Sequence, residues 1–288
     1  MLFDQHTPIA FLGMGLMGTR MAARLLQAGY AVAVWNRSPQ ACETLLQQGA
    51  TALALEQIAA YPVVFTCLAD DHAVQSVFNQ IQAHLQAQQI IVDFSSLSVE
   101  TTQQLAQTAK QQQITWIDSP VSGGTTGAEQ GNLVIFAGGD ATAIQQLQPI
   151  YRVLAQRVTR MGDSGAGQAT KICNQLIVAA NSTLIAEAVV LAQRSGVDTT
   201  LLAPALAGGF ADSKPFQILA PRMASHCFEP VQWKVQTLSK DLNNALKLAQ
   251  KLHLQIPVAQ KALRQLQAHQ QNGYAEQDLA TIIQYIEQ

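Results

Sequence analysis

Residues 9–38, IAFLGMGLMGTRMAARLLQAGYAVAVWNRS, constrain the fold of this chain more than any other segment. A short apolar run, Ile9 to Leu12, leads into Gly13-x-Gly15-x-x-Gly18, with Met14, Leu16 and Met17 between the glycines. A helix-period stretch follows, and a second apolar run ends in Asn36-Arg37-Ser38. Strand, glycine turn, helix and strand within about thirty residues form the context in which this glycine spacing has meaning. The first glycine permits a tight turn, the second leaves room for a pyrophosphate against the backbone, and the third lets helix and strand pack closely. The helix start adds unpaired N–H groups and the positive end of a dipole. These residues predict a dinucleotide site.

The end of the second strand bears on which dinucleotide. NAD binders usually place an acidic residue there for the ribose 2′-hydroxyl. This chain has the uncharged Asn36, then Arg37 and Ser38. A guanidinium offers a planar fork of donors to phosphate oxygens, which favours NADP. A merely solvated Arg37 would leave NAD possible.

At 288 residues the chain fits two domains. Hydrophobic residues make up 48% and charged residues 12%, enough for a large core and against disorder. A net charge of −2, with no basic run interleaved with aromatics, argues against nucleic acid. Cys42, Cys67, Cys173 and Cys227 lack CxxC spacing and read as reduced, mostly buried thiols. The six histidines form no HxH or HExxH pair, so no metal site is expected. The opening MLFDQHTP lacks the basic and apolar regions of a signal peptide. The apolar stretch 172–192 is interrupted by Asn174, Gln175, Asn181, Ser182 and Glu187, and reads as a buried helix rather than a membrane span. A cytoplasmic protein without a membrane partner is expected.

Short β-rich runs at 62–67, 89–94, 114–118, 133–137 and 158–161 alternate with helical stretches at 72–85, 99–112 and 142–156. That alternation predicts a parallel, doubly wound α/β sheet of the Rossmann type. Beyond Gly165 the strand signal disappears. A long helical pattern over 168–195 ends at Gly196, and further helices are predicted at 199–207, 216–223, 235–252, 257–271 and 276–287. The glycines of 162–167 mark the junction, giving an α/β domain over 1–163 and an all-α domain over 164–288, joined by the long helix.

Ligands of open α/β sheets bind beyond the carboxyl ends of the strands. The loops there carry Leu68-Ala69, then Ser95-Ser96, then Ser119-Pro120-Val121-Ser122-Gly123-Gly124. The first two lie where ribose and nicotinamide would run. The third offers a hydroxyl and two side-chain-free peptide units to a carboxylate, although a plain loop reads the same way. Lys171 sits near the start of the long apolar helix, sharing a face with Gln175, Val178 and Ser182 and flanked by Asn174. A buried lysine has a lowered pKa and is fitted for proton transfer near neutral pH. A lysine near a helix start also snorkels to solvent, and the residues alone leave both readings open.

Four motifs in order give the chain a resemblance to the β-hydroxyacid dehydrogenases. These are Phe11-Leu12-Gly13-Met14-Gly15-Leu16-Met17-Gly18, Asp118-Ser119-Pro120-Val121-Ser122-Gly123-Gly124, Gly165-Ala166-Gly167 with Lys171 and Asn174, and Lys240-Asp241-Leu242. The resemblance spans nearly the whole chain. It implies a Rossmann domain, a helical domain, and catalysis in the cleft between them. It implies Lys171 as the catalytic residue, and Asn174 as a residue that orients substrate. Ser122, Gly123, Gly124 and Gln175 would meet the substrate, a small carboxylate-bearing aldehyde or alcohol. Leu68, Ala69 and Ser96 would lie along the cofactor, and Lys240 beside it. A homodimer or homotetramer is expected.

Three positions depart from the family's pattern. Gln175 stands where many members have asparagine, Ser96 where threonine is common, and Ala69 where proline is common. The segment Gly208-Gly209-Phe210-Ala211-Asp212-Ser213 looks closer to the tartronate semialdehyde (2-hydroxy-3-oxopropionate) reductases than to the 3-hydroxyisobutyrate dehydrogenases. Succinic semialdehyde or glyoxylate reduction is the alternative within the class. Imine reductases share the Rossmann half but usually carry Asp or Tyr at the lysine position. A 6-phosphogluconate dehydrogenase would need a longer helical domain, and a non-catalytic nucleotide-binding protein would have no need of the lysine.

Overall fold

The computed structural model describes residues 3–288, in two compact units of which one ends at Lys171 and the other begins at Ile172. The first unit is an α/β sheet with helices. Its strands are β1 Ile9–Leu12, β2 Val32–Trp35, β3 Thr51–Ala52, β4 Val63–Thr66, β5 Ile90–Asp93, β6 Thr115–Asp118, β7 Val121–Ser122, β8 Leu133–Gly138 and β9 Ala155–Gly162. Its helices are α1 Leu16–Gln27, α2 Glu43–Gln47, α3 Asp71–Ile81, α4 Val99–Gln111, α5 Gly124–Gln130, α6 Ala141–Gln146 and α7 Gln148–Leu154. Helix α8, Ala166–Arg194, begins in the first unit and continues into the second.

The sheet order is β3-β2-β1-β4-β5-β6-β8-β7, with β9 pairing β8. Strands β1 to β6 are parallel. The order runs outward from β1 in both directions, so the crevice for a ligand opens at the carboxyl ends of β1 and β4. Alternation along β1 serves two cores: Ile9 and Phe11 pack on one face, Ala10 and Leu12 on the other. Phe11 of β1, Phe65 of β4 and Phe94, just after β5, stack edge-on in turn, with Phe11–Phe65 centroids at 5.6 Å and Phe65–Phe94 at 5.1 Å. Such pairs add about 0.5–1.5 kcal/mol each beyond area burial. That rigid layer underlies the loops that follow the strands.

The sheet is not wholly parallel. β8 runs antiparallel to β6 and to β7. The segment between β6 and β8 holds β7, which folds back as an antiparallel partner of β8, and the short α5. The helix expected over 142–156 is two helices broken at Leu147, because Pro149 opens α7 and cannot continue α6. β9 consequently begins at Ala155, three residues before the predicted strand.

The second unit is helical: α9 Leu202–Leu206, α10 Lys214–Ala224, α11 Val235–Lys251, α12 Pro257–His269 and α13 Ile283–Glu287. The continuous helix expected over 276–287 is absent. Asp278 has extended backbone and its side chain accepts from the Ala280 N–H, so a 3₁₀ turn over Leu279–Ile282 precedes the short α13. Of the cysteines, Cys42 is buried, whereas Cys173 and Cys227 are exposed, contrary to mostly buried thiols. Helix α8 is apolar and long enough to cross a membrane by length and composition alone, yet only 39% of its most apolar window is buried within the chain. Some of its polar residues fall on the buried side, where Ser182 and Thr183 donate to the carbonyls of Ala179 and Ala180.

Candidate functional site

Packing around the glycine turn after β1 is tight on the protein side and open on the other. The Gly13 N–H donates to the Trp35 carbonyl at 2.8 Å, and Gly13 has φ +103°. A Cβ on Gly13 would lie 2.3 Å from the Cys67 carbonyl oxygen, and one on Gly18 1.9 Å from that of Gly13. A Cβ on Gly15 would meet nothing within 4 Å. Helix α1 starts at the exposed Leu16 with no side-chain cap and no acidic residue in its first turn. Unpaired helical N–H groups beside a space that a side chain would fill fit the pyrophosphate of a dinucleotide. Met14 and Met17 lie on the turn's protein side, Met14 in the core and Met17 against it.

Asn36 is fixed by the turn it faces. Its Oδ1 accepts from the Met14 N–H at 3.0 Å and its Nδ2 donates to the Ser38 carbonyl at 3.0 Å. Arg37 and Ser38 are exposed at the strand end.

The loops after β4 and β5 are tied to each other. The Leu68 N–H donates to Ser95 Oγ at 2.9 Å, which joins the Leu68-Ala69 loop to the Ser95-Ser96 loop. Beneath them Asp93 is fully buried, its Oδ1 accepting from Thr66 Oγ1 at 2.7 Å and the Ser95 N–H at 3.2 Å. Burial pushes its carboxyl up to about 6, against the pull of the Ser95 and Thr66 hydrogen bonds. Burial also pushes the Cys67 thiol up to about 12, with the Asp93 charge adding to it, so this thiol stays protonated and is no nucleophile.

Asp118, in register with Asp93, ends β6 and receives the start of α8. Its Oδ1 accepts from the Gly165 N–H at 2.8 Å and its Oδ2 from the Gln168 N–H at 3.0 Å. Burial raises its pKa and these backbone N–H bonds oppose the rise. A carboxylate at a helix N-terminus is held by the orphan N–H groups and the dipole together. Lys171, half-buried, follows one turn after Gln168.

The SPVSGG segment is not a plain loop. Val121-Ser122 pairs with β8, Ser122 opposite Val134, and α5 starts at Gly124. Gly123 and Gly124 both have positive φ, at +129° and +63°, and both are exposed. Successive backbone N–H groups in a turn can form an anion-binding concavity. Ser119 beneath them is buried and shares a 2.8 Å hydrogen bond with Tyr151.

In the second unit, Asn174 Nδ2 donates to Gln175 Oε1 at 2.9 Å, and Gln175 Nε2 donates to Asp241 Oδ2 at 2.5 Å. The extra methylene of Gln175 thus spans α8 and α11. Lys240, next to Asp241, is exposed and borders an open cleft of about 580 Å³ with Gln236, Ser239, Asn243, Gln267 and Gln270. Among the described residues no group of three or more His, Cys, Asp or Glu side chains is placed to hold a metal ion.

Comparison with known proteins follows the same division. Residues 8–162 match the family of the NAD binding domain of 6-phosphogluconate dehydrogenase. Residues 165–286 match that of the NAD-binding of NADP-dependent 3-hydroxyisobutyrate dehydrogenase. The 2-hydroxy-3-oxopropionate reductase of Escherichia coli (strain K12) is 34% identical over 285 residues, covering 97% of each chain. The chain belongs to the β-hydroxyacid dehydrogenase family. As a β-hydroxyacid dehydrogenase it is a nicotinamide-dependent oxidoreductase of the CH–OH group of hydroxy acids. The solved 3-hydroxyisobutyrate dehydrogenase of Mycobacterium tuberculosis, with L-serine, superposes with a TM-score of 0.91 at 27% identity, over 98% of this chain and 100% of that one. Psf3 in complex with NADP+ and 2-OPP superposes with a TM-score of 0.81 at 25% identity, over 96% and 99%.

The sequence alone does not single out the residues that brace the loops and the start of α8: Gln168, Asp93 and Thr66 carry no motif, and Asp118 and Asp241 stand out only as members of one. A polar side chain at the start of an apolar helix, and two aspartates ending adjacent strands, were the available signals.

Proposed function

We propose that this dehydrogenase interconverts a short β-hydroxy acid and its semialdehyde with NADP, most like a 2-hydroxy-3-oxopropionate reductase or a 3-hydroxyisobutyrate dehydrogenase. The observation that carries the reading is the anchoring of α8. Asp118 fixes the helix start at the end of β6, one turn before Lys171, in the same unit as the glycine turn and the Ser122–Gly124 donors. The cofactor supplies or accepts a hydride when bound. Gly13, Gly15, Gly18 and the N-terminus of α1 hold its pyrophosphate, and Leu68, Ala69, Ser96 and Lys240 lie along the rest. Arg37 and Ser38, exposed where NAD binders carry an acid, support a 2′-phosphate, as does the match of 165–286 to an NADP-dependent family.

Ser122, Gly123 and Gly124 hold the substrate carboxylate and so decide which carbon faces the nicotinamide. In reduction the carbonyl carbon gains the hydride and its oxygen takes a proton from the Lys171 ammonium. In oxidation the hydroxyl proton returns to the neutral amine as the carbon loses its hydride. Asn174 and Gln175, joined to Asp241, are the residues proposed to orient the substrate. The enzyme is proposed as cytoplasmic and self-associating. Ile177, Leu184 and Leu191, at 57%, 61% and 69% exposure, form a seven-residue-spaced apolar stripe on α8 that suits a second copy. Leu184→Glu is expected to convert a dimer or tetramer to monomer in equilibrium sedimentation; a monomeric parent protein refutes this.

The test of activity is a panel of short aldehydo acids with NADPH and NADH, run on the parent and on Lys171→Ala. Loss of the general acid is expected to lower turnover by about 10²–10⁴-fold, with NADPH still bound. Parental turnover in Lys171→Ala overturns the role of the lysine.

A further inference from the structure

Gln168 is fully buried in the first turn of α8, and both polar ends of its side chain are used. Nε2 donates to the Ser95 carbonyl at 2.8 Å, and Oε1 accepts from the Leu97 N–H at 3.1 Å. The two partners are the backbone groups on either side of Ser96. Ser95 and Leu97 are buried, whereas Ser96 is exposed. One amide therefore pins the chain on both sides of the one residue in that loop that points outward. The amide does this because it carries a donor and an acceptor on one planar group.

The same residue is held at its other end. Its backbone N–H donates to Asp118 Oδ2, and the preceding glycine lies so close to β8 that a Cβ there would stand 2.3 Å from the Phe136 carbonyl oxygen. The start of α8 is thus fixed against β6 and β8, while the Gln168 side chain fixes the loop after β5 against α8. Lys171 lies three residues further on, on a neighbouring position of the same helix.

We infer that Gln168 is a positioning residue that sets the Ser96 loop against Lys171. The inference rests on the reaction proposed above, in which hydride and proton go to the two ends of one C–O bond. The Ser96 loop lies along the nicotinamide, and Lys171 carries the proton. Both must be placed together, and a misplacement of about 1 Å costs about 10²-fold in rate. Gln168 ties the two placements through a single side chain, without touching substrate or cofactor itself.

The test uses the full chain with Gln168→Met, which keeps the length and removes both hydrogen bonds. Gln168→Asn keeps the amide and shortens it. Leu105→Ala, a core truncation on α4, is the control for general destabilisation. Each variant is measured for NADPH affinity by fluorescence titration, for kcat and KM across pH, and for amide exchange over residues 95–97. In Gln168→Met kcat is expected to fall by about 10²-fold with NADPH affinity within about threefold of the parent. The pH profile of kcat shifts, and the Leu97 amide exchanges faster. Gln168→Asn shows a smaller loss of kcat in the same direction and keeps the inference testable where the methionine variant does not fold. Parental kcat and pH profile in a folded Gln168 variant overturn the inference and leave the proposed reaction standing. The same loss and pH shift in Leu105→Ala also overturn it. No turnover by the parent protein with any aldehydo acid overturns the proposed reaction, and the inference with it.

Discussion

Two glycines of one turn, three residues apart, are expected to respond in opposite ways to the same substitution. Gly15 has φ −80° and ψ −169°, a conformation alanine adopts freely, and a Cβ there meets nothing within 4 Å. Gly15→Ala is therefore expected to leave the fold intact, the loss of unfolded-state freedom offsetting the poorer N-cap of α1. The methyl group, however, would stand where the pyrophosphate approaches the N–H groups of α1. Displacing it from one charge-assisted hydrogen bond removes about 1.5–3 kcal/mol, which is about 10- to 150-fold in affinity. Gly18→Ala reverses the pattern. Its Cβ would lie 1.9 Å from the Gly13 carbonyl oxygen, where contact needs about 3.5 Å. Helix α1 must move, at a cost of about 1–3 kcal/mol in stability. Thermal unfolding without cofactor, paired with NADPH fluorescence titration, separates the two. Unchanged NADPH affinity in Gly15→Ala refutes the placement of the pyrophosphate, and full stability in Gly18→Ala refutes the packing argument.

Arg37→Asp is expected to lower kcat/KM for NADPH relative to NADH by more than about 10-fold, the loss of one charge-assisted phosphate contact; an unchanged ratio removes Arg37 from the cofactor site. Asp93 has a carboxyl raised from 3.8 to about 6, so the folded chain holds its proton more tightly than the unfolded one. The stability this lends is complete below pH 3.8 and is lost as pH rises through about 6, by about 3 kcal/mol at 1.36 kcal/mol per unit. Asp93→Asn has no such slope, so its melting temperature is expected to gain on that of the parent between pH 4.5 and 7.5, and a constant difference between the two refutes the buried-acid reading.

What was legible in the sequence is what has a period or a fixed offset. The β1–α1–β2 unit could be read because alternation, helical period and the spacing of Gly13, Gly15 and Gly18 all agree. Strands β3 and β7 have two residues each and show no period. The direction of β8 was illegible because a strand's own residues do not record which way its neighbour runs. Lys171 stood out as a charge in an apolar helix. Its support did not, because Asp118 and Gln168 act through backbone N–H and carbonyl groups, which every residue carries. Gln175 was visible as a departure, but only the reach to Asp241 says what its longer side chain does.

The hydrogen bonds of Asn36 have a consequence for redesign of cofactor choice. The residue that occupies the usual discriminating position is committed to the turn through the Met14 N–H and the Ser38 carbonyl. An aspartate there would still accept from Met14 but would set a carboxylate against the Ser38 carbonyl oxygen. On the proposed function, loop integrity and cofactor discrimination are therefore held by different side chains, Asn36 and Arg37. Substitution at Arg37 is then expected to retune the preference while the glycine turn stays as it is.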